Sequence, residues 1–187
     1  IDPIREELVM SLMTYIGNLG NILEETPEHA RLIKLRRPVL TDDEVARLST
    51  VADRGYPEVT LPIFFSGSLE VALGNLGKAA VEAVGSGARI VVLSDRGEPK
   101  NPGDLPIPCL LATAAVNRAL VEAGLRSSIG LIVQSGEVRE VHHFAVLIGY
   151  GATAVNPYLA LESVSALFPK DPVMAASNYI KAVDKGL

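Results

Sequence analysis

Gln134-Ser135-Gly136-Glu137, Val141-His142-His143-Phe144, Gly149-Tyr150-Gly151-Ala152 and Ala154-Val155-Asn156-Pro157-Tyr158 punctuate the stretch of this chain whose reading decides the fold. Residues 129–133, just before it, are a short apolar run of the kind that forms a strand buried on both faces. Ser135-Gly136 stops that run where glycine permits a sharp turn. Val138, Val141, Ala145 and Ile148 then recur at helical spacing, and Gly149 and Gly151 bracket the exit. Residues 152–155 are too few and too apolar for anything but a second buried strand, which Asn156-Pro157 ends. The stretch is one strand-helix-strand unit.

The same alternation extends upstream. Residues 59–64 and 89–93 read as strands, and Ser68 caps a helix between them with the stripe Leu69, Leu73, Leu76, Ala80 and Val84. Residues 106–108 open an alanine-rich helix that ends at Gly124, and residues 178–187 read as a further helix. Each strand-to-strand step takes roughly 30 residues, the size of a βαβ unit. Ahead of residue 57 the pattern differs. Asp2-Pro3 predicts a helix with Ile4, Leu8, Leu12, Tyr15 and Ile16 on one face, ending near Gly17. Thr26-Pro27 is a second helix start, residues 32–35 read as extended, and Thr41-Asp42-Asp43-Glu44 fits a capping box opening a helix to about Leu48. The expected organisation is a single domain segment, residues 1–187, made of a mainly helical arm (1–56) and β/α units (57–187).

Parallel β/α units close as a doubly wound sheet or as a barrel. No Gly-x-Gly-x-x-Gly follows a strand and no Walker sequence is present, so the doubly wound alternative lacks its phosphate signature. A complete barrel takes ~250 residues, so this chain supplies about half of one. The fold class expected is therefore α/β, a partial (β/α) barrel-like arrangement with parallel strands behind a mainly helical N-terminal arm. Half a barrel leaves strand edges unpaired, which predicts that another part of a longer polypeptide, or self-association, covers them.

Composition excludes several functions. At 187 residues with 48% hydrophobic residues and mean hydropathy +0.28, the chain can bury a core and is not disordered. A net charge of -5 leaves no basic footprint for nucleic acid. No apolar run approaches the ~20 residues that span a bilayer, and residues 1–10 are charged where a secretory signal would be apolar. A single cysteine, Cys109, excludes an internal disulfide and suits a reducing compartment, so a cytoplasmic location is expected.

His142 and His143 are adjacent, so on a helix their side chains diverge by about 100° and cannot grip one metal as an i, i+4 pair would. Cys109 has no histidine implied beside it and reads as a small buried helix residue. Phe144 reads as the residue that packs on the sheet, with the two histidines partnered by backbone or neighbouring domains. Ser94, Asp95, Arg96, Ser135, Gly136, Asn156 and Tyr158 form a more informative group, because all follow the carboxyl ends of expected parallel strands, where β/α folds place ligands. Two readings stay open there. The seven residues make a small-molecule face, or Asp95 and Arg96 pair with each other or cap the next helix while Asn156-Pro157 makes a turn.

Ile1-Asp2-Pro3-Ile4-Arg5-Glu6-Glu7-Leu8-Val9-Met10, Thr26-Pro27-Glu28-His29-Ala30, Leu93-Ser94-Asp95-Arg96-Gly97, residues 135–158 and Tyr179-Ile180-Lys181-Ala182 occur in an order that resembles the central region of the glutamate synthase large subunit. The resemblance covers nearly the whole chain. It implies a place between an amino-terminal glutaminase domain and a barrel that carries flavin mononucleotide (FMN) and an iron-sulfur cluster, in an enzyme that makes glutamate from glutamine and 2-oxoglutarate. Those two domains are the implied partners. The family's glutaminase nucleophile is an amino-terminal cysteine, so the resemblance implies no catalytic, cofactor-binding or metal-ligating residue in this segment. FMN and the cluster belong to other domains of the parent enzyme. The implied role is a non-catalytic scaffold that links the two sites and helps wall the path of ammonia; the alternative is a self-sufficient partial-barrel enzyme or binding protein that uses the strand-end face.

Overall fold

In the computed structural model, residues 11–18, 20, 23–99 and 101–187 are described. Fourteen strands and helices follow in order among them: β1 (Thr14–Ile16), β2 (Ile33–Leu35), α1 (Asp42–Ser49), β3 (Glu58–Pro62), β4 (Phe64–Phe65), α2 (Leu69–Gly85), β5 (Ile90–Ser94), β6 (Leu105–Pro106), α3 (Cys109–Glu122), β7 (Gly130–Gln134), α4 (Val141–Gly149), β8 (Ala154–Asn156), α5 (Tyr158–Leu167) and α6 (Pro172–Gly186). Strands β3, β5, β7 and β8 form a parallel sheet in their chain order. Alternation along the strands divides the sheet into two faces. Val91, Leu93, Leu131, Val133 and Val155 pack with Leu76, Ala80 and Val84 of α2, Ala112, Val116 and Leu120 of α3, and Phe144 and Leu147 of α4. All three crossover helices therefore lie on one side. Sequential strands with crossovers on one face are the winding of a barrel wall, whereas a doubly wound sheet carries helices on both faces.

A barrel would fill its other face from its remaining strands, and here the N-terminal arm fills it. Ile90, Val92, Ile132 and Ala154 pack with Ile16, Leu40 and Leu48. Ile16 presses on the start of β7, where a side-chain carbon added at Gly130 would come within 2.7 Å of it. That close approach is the reason for glycine at 130. The helix expected to run as far as Gly17 is absent over residues 14–16: Thr14, Tyr15 and Ile16 pair antiparallel with Leu35, Lys34 and Ile33. The reason is tertiary, since β-favouring residues find a strand partner about twenty residues on and Ile16 gains complete burial. Residues 11–13, Leu12 among them, are not helical either, and the part of that expected helix before residue 11, Ile4 and Leu8 included, lies outside the described residues.

The arm also covers an edge. Val39 bridges Val155 in parallel, the Leu40 N–H donates to the Val155 carbonyl at 2.9 Å, and the Val155 N–H donates to the Pro38 carbonyl at 2.7 Å. The chain itself thus completes the β8 side, where an outside partner was expected. At the opposite edge β3 pairs only with β5 among the described residues. Glu58 and Pro62 blunt that edge, one by its charge and the other by offering no N–H.

Most local signals act where the sequence places them. Thr41 and Glu44 form the capping box of α1, Ser68 caps α2, and Pro27–Ala30 is a single 3-10 turn. Three helices differ. Helix α4 starts at Val141 and buries Phe144 and Leu147, leaving Ala145 exposed and Val138 buried ahead of the helix. The expected stripe is therefore rotated, because the largest apolar side chain takes the sheet. Helix α5 occupies residues that follow the Asn156-Pro157 turn signal and carry no cap of their own. Helix α6 begins at Pro172, ahead of the expected residue 178, with Asp171 capping the Met174 N–H at 3.0 Å.

His143 closes the entry to α4, where its Nδ1 accepts from the N–H groups of Arg139 and Glu140 at 3.1 and 3.3 Å. His142 is exposed. Denaturant unfolding of His143→Ala should show a loss of about 1 kcal/mol, as for other lost helix caps, with His142→Ala close to unchanged.

Candidate functional site

Strands β5, β7 and β8 end in register, with Ser94 opposite Gln134 and Gln134 opposite Asn156. Three polar side chains thereby line up across the carboxyl edge of the sheet. Ser94 Oγ donates to Gln134 Oε1 at 2.7 Å, Gln134 Nε2 donates to Asn156 Oδ1 at 3.0 Å, and Asn156 Nδ2 donates to the Leu40 carbonyl at 3.0 Å and Asp42 Oδ1 at 2.9 Å. Ser94 and Asn156 are buried, so these bonds satisfy groups that water does not reach. Gln134 is the member of this row that sequence reasoning missed. The available signal was a polar residue closing an apolar strand at the same register position as Ser94 and Asn156.

The next residues make a second layer. Asp95 Oδ2 accepts from Ser135 Oγ at 2.5 Å, and Asp95 Oδ1 accepts from the Gly136 N–H at 3.0 Å. Ser135 is fully buried and its oxygen also accepts from the Glu137 N–H at 3.1 Å. Tyr158, which opens α5, turns its hydroxyl toward the Asp95 carboxylate, close enough to feel its charge. Gly136 makes room for that ring, since a side-chain carbon there would lie 3.0 Å from the Tyr158 oxygen. Arg96 does not pair with Asp95. It bridges Asp42 at 2.9 Å and Glu162 at 2.8 Å and lies over the Tyr158 ring at 4.9 Å, so it ties α1 to α5 across the end of the sheet.

All seven residues singled out from the sequence are thus brought together, and their polar groups are engaged with one another and with the arm. Burial first, and then the negative charge of Asp95, push the Tyr158 hydroxyl up to about 12. A raised tyrosine favours the folded state fully below its unfolded value near 10 and loses that contribution as pH rises toward 12. Asp95→Asn should lower the Tyr158 midpoint, read as the tyrosinate absorbance difference between Asp95→Asn chains with and without Tyr158→Phe.

Cys109 opens α3 beneath this layer. It is buried, its N–H donates to Glu137 Oε2 at 2.8 Å, and burial followed by Glu137 pushes its thiol up to about 12. A thiol kept protonated is a poor nucleophile. The residues present fit neither cofactor implied by the resemblance: an iron-sulfur cluster needs several thiolates where the chain has one cysteine, and the strand-end face is filled by its own side chains with no glycine-rich cradle for a phosphate. Among the described residues no three His, Cys, Asp or Glu side chains are grouped to hold a metal ion, and no helix is long and apolar enough to cross a membrane.

Comparison with solved structures gives the fold a counterpart. Flavocytochrome b2 with benzoylformate superposes with a TM-score of 0.53 at 14% identity, over 75% of this chain and 32% of that one. A second flavocytochrome b2 structure, with pyruvate bound, gives 0.52 at 13% identity over 80% of this chain and 50% of that one. These are TIM-barrel-like enzymes, and at this identity the likeness concerns the fold alone. Sequence comparison gives the family. The family model described as glutamate synthase central domain matches residues 1–187. The glutamate synthase [NADPH] large chain of Bacillus subtilis is 38% identical over 192 aligned residues, which take in 100% of this chain and 12% of that protein. Ferredoxin-dependent glutamate synthase 2 of Synechocystis sp. is 47% identical over 168 residues, 88% of this chain and 11% of that protein. The chloroplastic ferredoxin-dependent glutamate synthase of Spinacia oleracea is 47% identical over 169 residues, 87% and 10% respectively. The chain spans about one tenth of the length of these relatives. With a match along its full length and relatives well above 30% identity, this chain belongs to the glutamate synthase central-domain family.

Proposed function

We propose that the chain acts as a non-catalytic scaffold within a glutamate synthase, holding a glutaminase domain and an FMN-bearing synthase domain in fixed relation and helping to wall the route of ammonia between them. The observation that carries this reading is the strand-end layer itself. In a ligand-binding β/α fold the polar groups at the carboxyl ends of the strands are free to meet a substrate. Here Ser94, Gln134 and Asn156 bond to one another, Asp95 holds Ser135 and Gly136, and Arg96 bridges Asp42 and Glu162. Such a layer braces the sheet against the arm and α5. Flavin and iron-sulfur chemistry then belong to other domains of the parent polypeptide, which are this segment's partners.

The test uses a full-length glutamate synthase containing this segment. Arg96→Met removes both ion pairs while keeping an unbranched apolar stem over the Tyr158 ring. The scaffold reading expects glutamine hydrolysis and ammonia-supported glutamate formation each to persist when assayed separately, while glutamate formed per glutamine hydrolysed falls and free ammonia appears. Unchanged coupling in a variant shown by hydrogen exchange to have loosened α1 from α5 overturns it. So does glutamine hydrolysis by the purified 187-residue chain that disappears in Cys109→Ser.

A further inference from the structure

The hairpin of α5 and α6 carries an apolar groove that the strand-end layer does not use. Val164, Leu167, Phe168, Met174, Ala175 and Tyr179 line most of a cleft of about 640 Å³. Leu167 is 74% exposed, Phe168 61% and Met174 51%, with Val173 beside them at 79%. Tyr179 is held at the rim by its hydroxyl, which donates to the Arg139 carbonyl at 2.9 Å, so that wall of the groove is fixed. Large apolar side chains scattered singly over a surface are ordinary, but several converging on one concavity mark a place of contact.

We infer that this groove seats an apolar segment of the same polypeptide, from a domain outside residues 1–187, and so is a contact through which the scaffold holds its neighbour. The inference rests on the reading above that the segment works inside a longer chain. Two observations select this occupant over a second copy. The relatives that match this chain are roughly eight- to tenfold longer than it, so most of such a polypeptide lies outside it. Size decides as well. Ten described residues line the groove, whereas a standard interface between free proteins uses about 20–30 residues a side. A patch that small holds poorly between two free molecules, but a tethered segment meets it at an effective concentration of order millimolar.

The experiment places the photo-crosslinking amino acid p-benzoylphenylalanine at position 168 of a full-length glutamate synthase containing this segment, with the same probe at position 167 as a second variant. The expected result is a crosslinked product that keeps the mobility of one chain on a denaturing gel. Peptide mapping should join position 168 to residues outside this segment. A product of twice the chain mass identifies a second copy and overturns the inference, as does the absence of a crosslink at both positions. Glutamate formed per glutamine hydrolysed is measured on the same samples. A failed crosslink with coupling intact rejects the groove contact alone, whereas the scaffold reading is rejected by its own coupling test with Arg96→Met.

Discussion

Phe144→Ala is expected to lower the stability of the chain by about 3–5 kcal/mol, the range for truncating a fully buried aromatic ring. Phe144 is fully buried and is the largest side chain so enclosed, in the layer where α4 meets Val133, Val155 and the neighbouring helices. Removing the ring loses its transfer free energy and leaves a cavity between elements that their strand register prevents from collapsing. Denaturant unfolding reads this as a lower midpoint with an unchanged slope. Phe144→Leu, which keeps most of the volume, should recover the greater part of the loss. A midpoint shift equivalent to less than about 1 kcal/mol would mean that α4 is not a structural wall of the core.

The second large effect is expected at Asp95. Its carboxylate accepts from the fully buried Ser135 hydroxyl and from the Gly136 N–H, and it faces the Tyr158 hydroxyl. Asp95→Ala leaves the buried Ser135 hydroxyl and the half-buried Gly136 N–H without their acceptor, at a cost of about 2–4 kcal/mol from two stranded groups that each cost about 1–3, the half-buried one at the low end. Asp95→Asn keeps one acceptor oxygen and should lose about half as much. The diagnostic readout is hydrogen exchange at Gly136, which should quicken in Asp95→Ala and remain slow in Phe144→Leu. Equal exchange in the two variants would show that Asp95 does not hold the turn after β7.

The two sites differ in how far the sequence exposes them. Phe144 is legible, because a helix between two buried strands must turn its bulkiest apolar residue onto them, although the stripe through Ala145 and Ile148 sets the helix face wrongly. The strand-end residues are legible as a group, since each follows a strand and parallel strands share a carboxyl edge. Their partners are not. One of the readings left open by the sequence pairs Arg96 with Asp95, but Arg96 spans Asp42 and Glu162, residues 54 and 66 positions away in the chain. Asn156-Pro157 hides the α5 helix, because the pair carries the signal of a turn. The Asp-Pro pair, read from the sequence as a helix start at Asp2-Pro3, recurs at Asp171-Pro172, where it opens α6 ahead of the expected residue 178.

What the amino-acid sequence determined by itself is the set of features that depend on neighbours a few residues apart: short apolar runs as buried strands, the capping box at Thr41 and Glu44, the Ser68 cap, the β/α repeat and hence a barrel-type winding. What only the tertiary structure decided is everything that joins distant segments. Residues 14–16 became a strand because residues 33–35 were available to pair, the arm filled the face that a closed barrel would bury, and Asn156 found its acceptor at Leu40, 116 positions earlier. The physical reason is that helix periodicity and caps are satisfied within one or two turns of chain. Burial and hydrogen-bond satisfaction at the end of a sheet are met only when several strands have taken their register, and which side chains then face one another is a property of the assembled sheet.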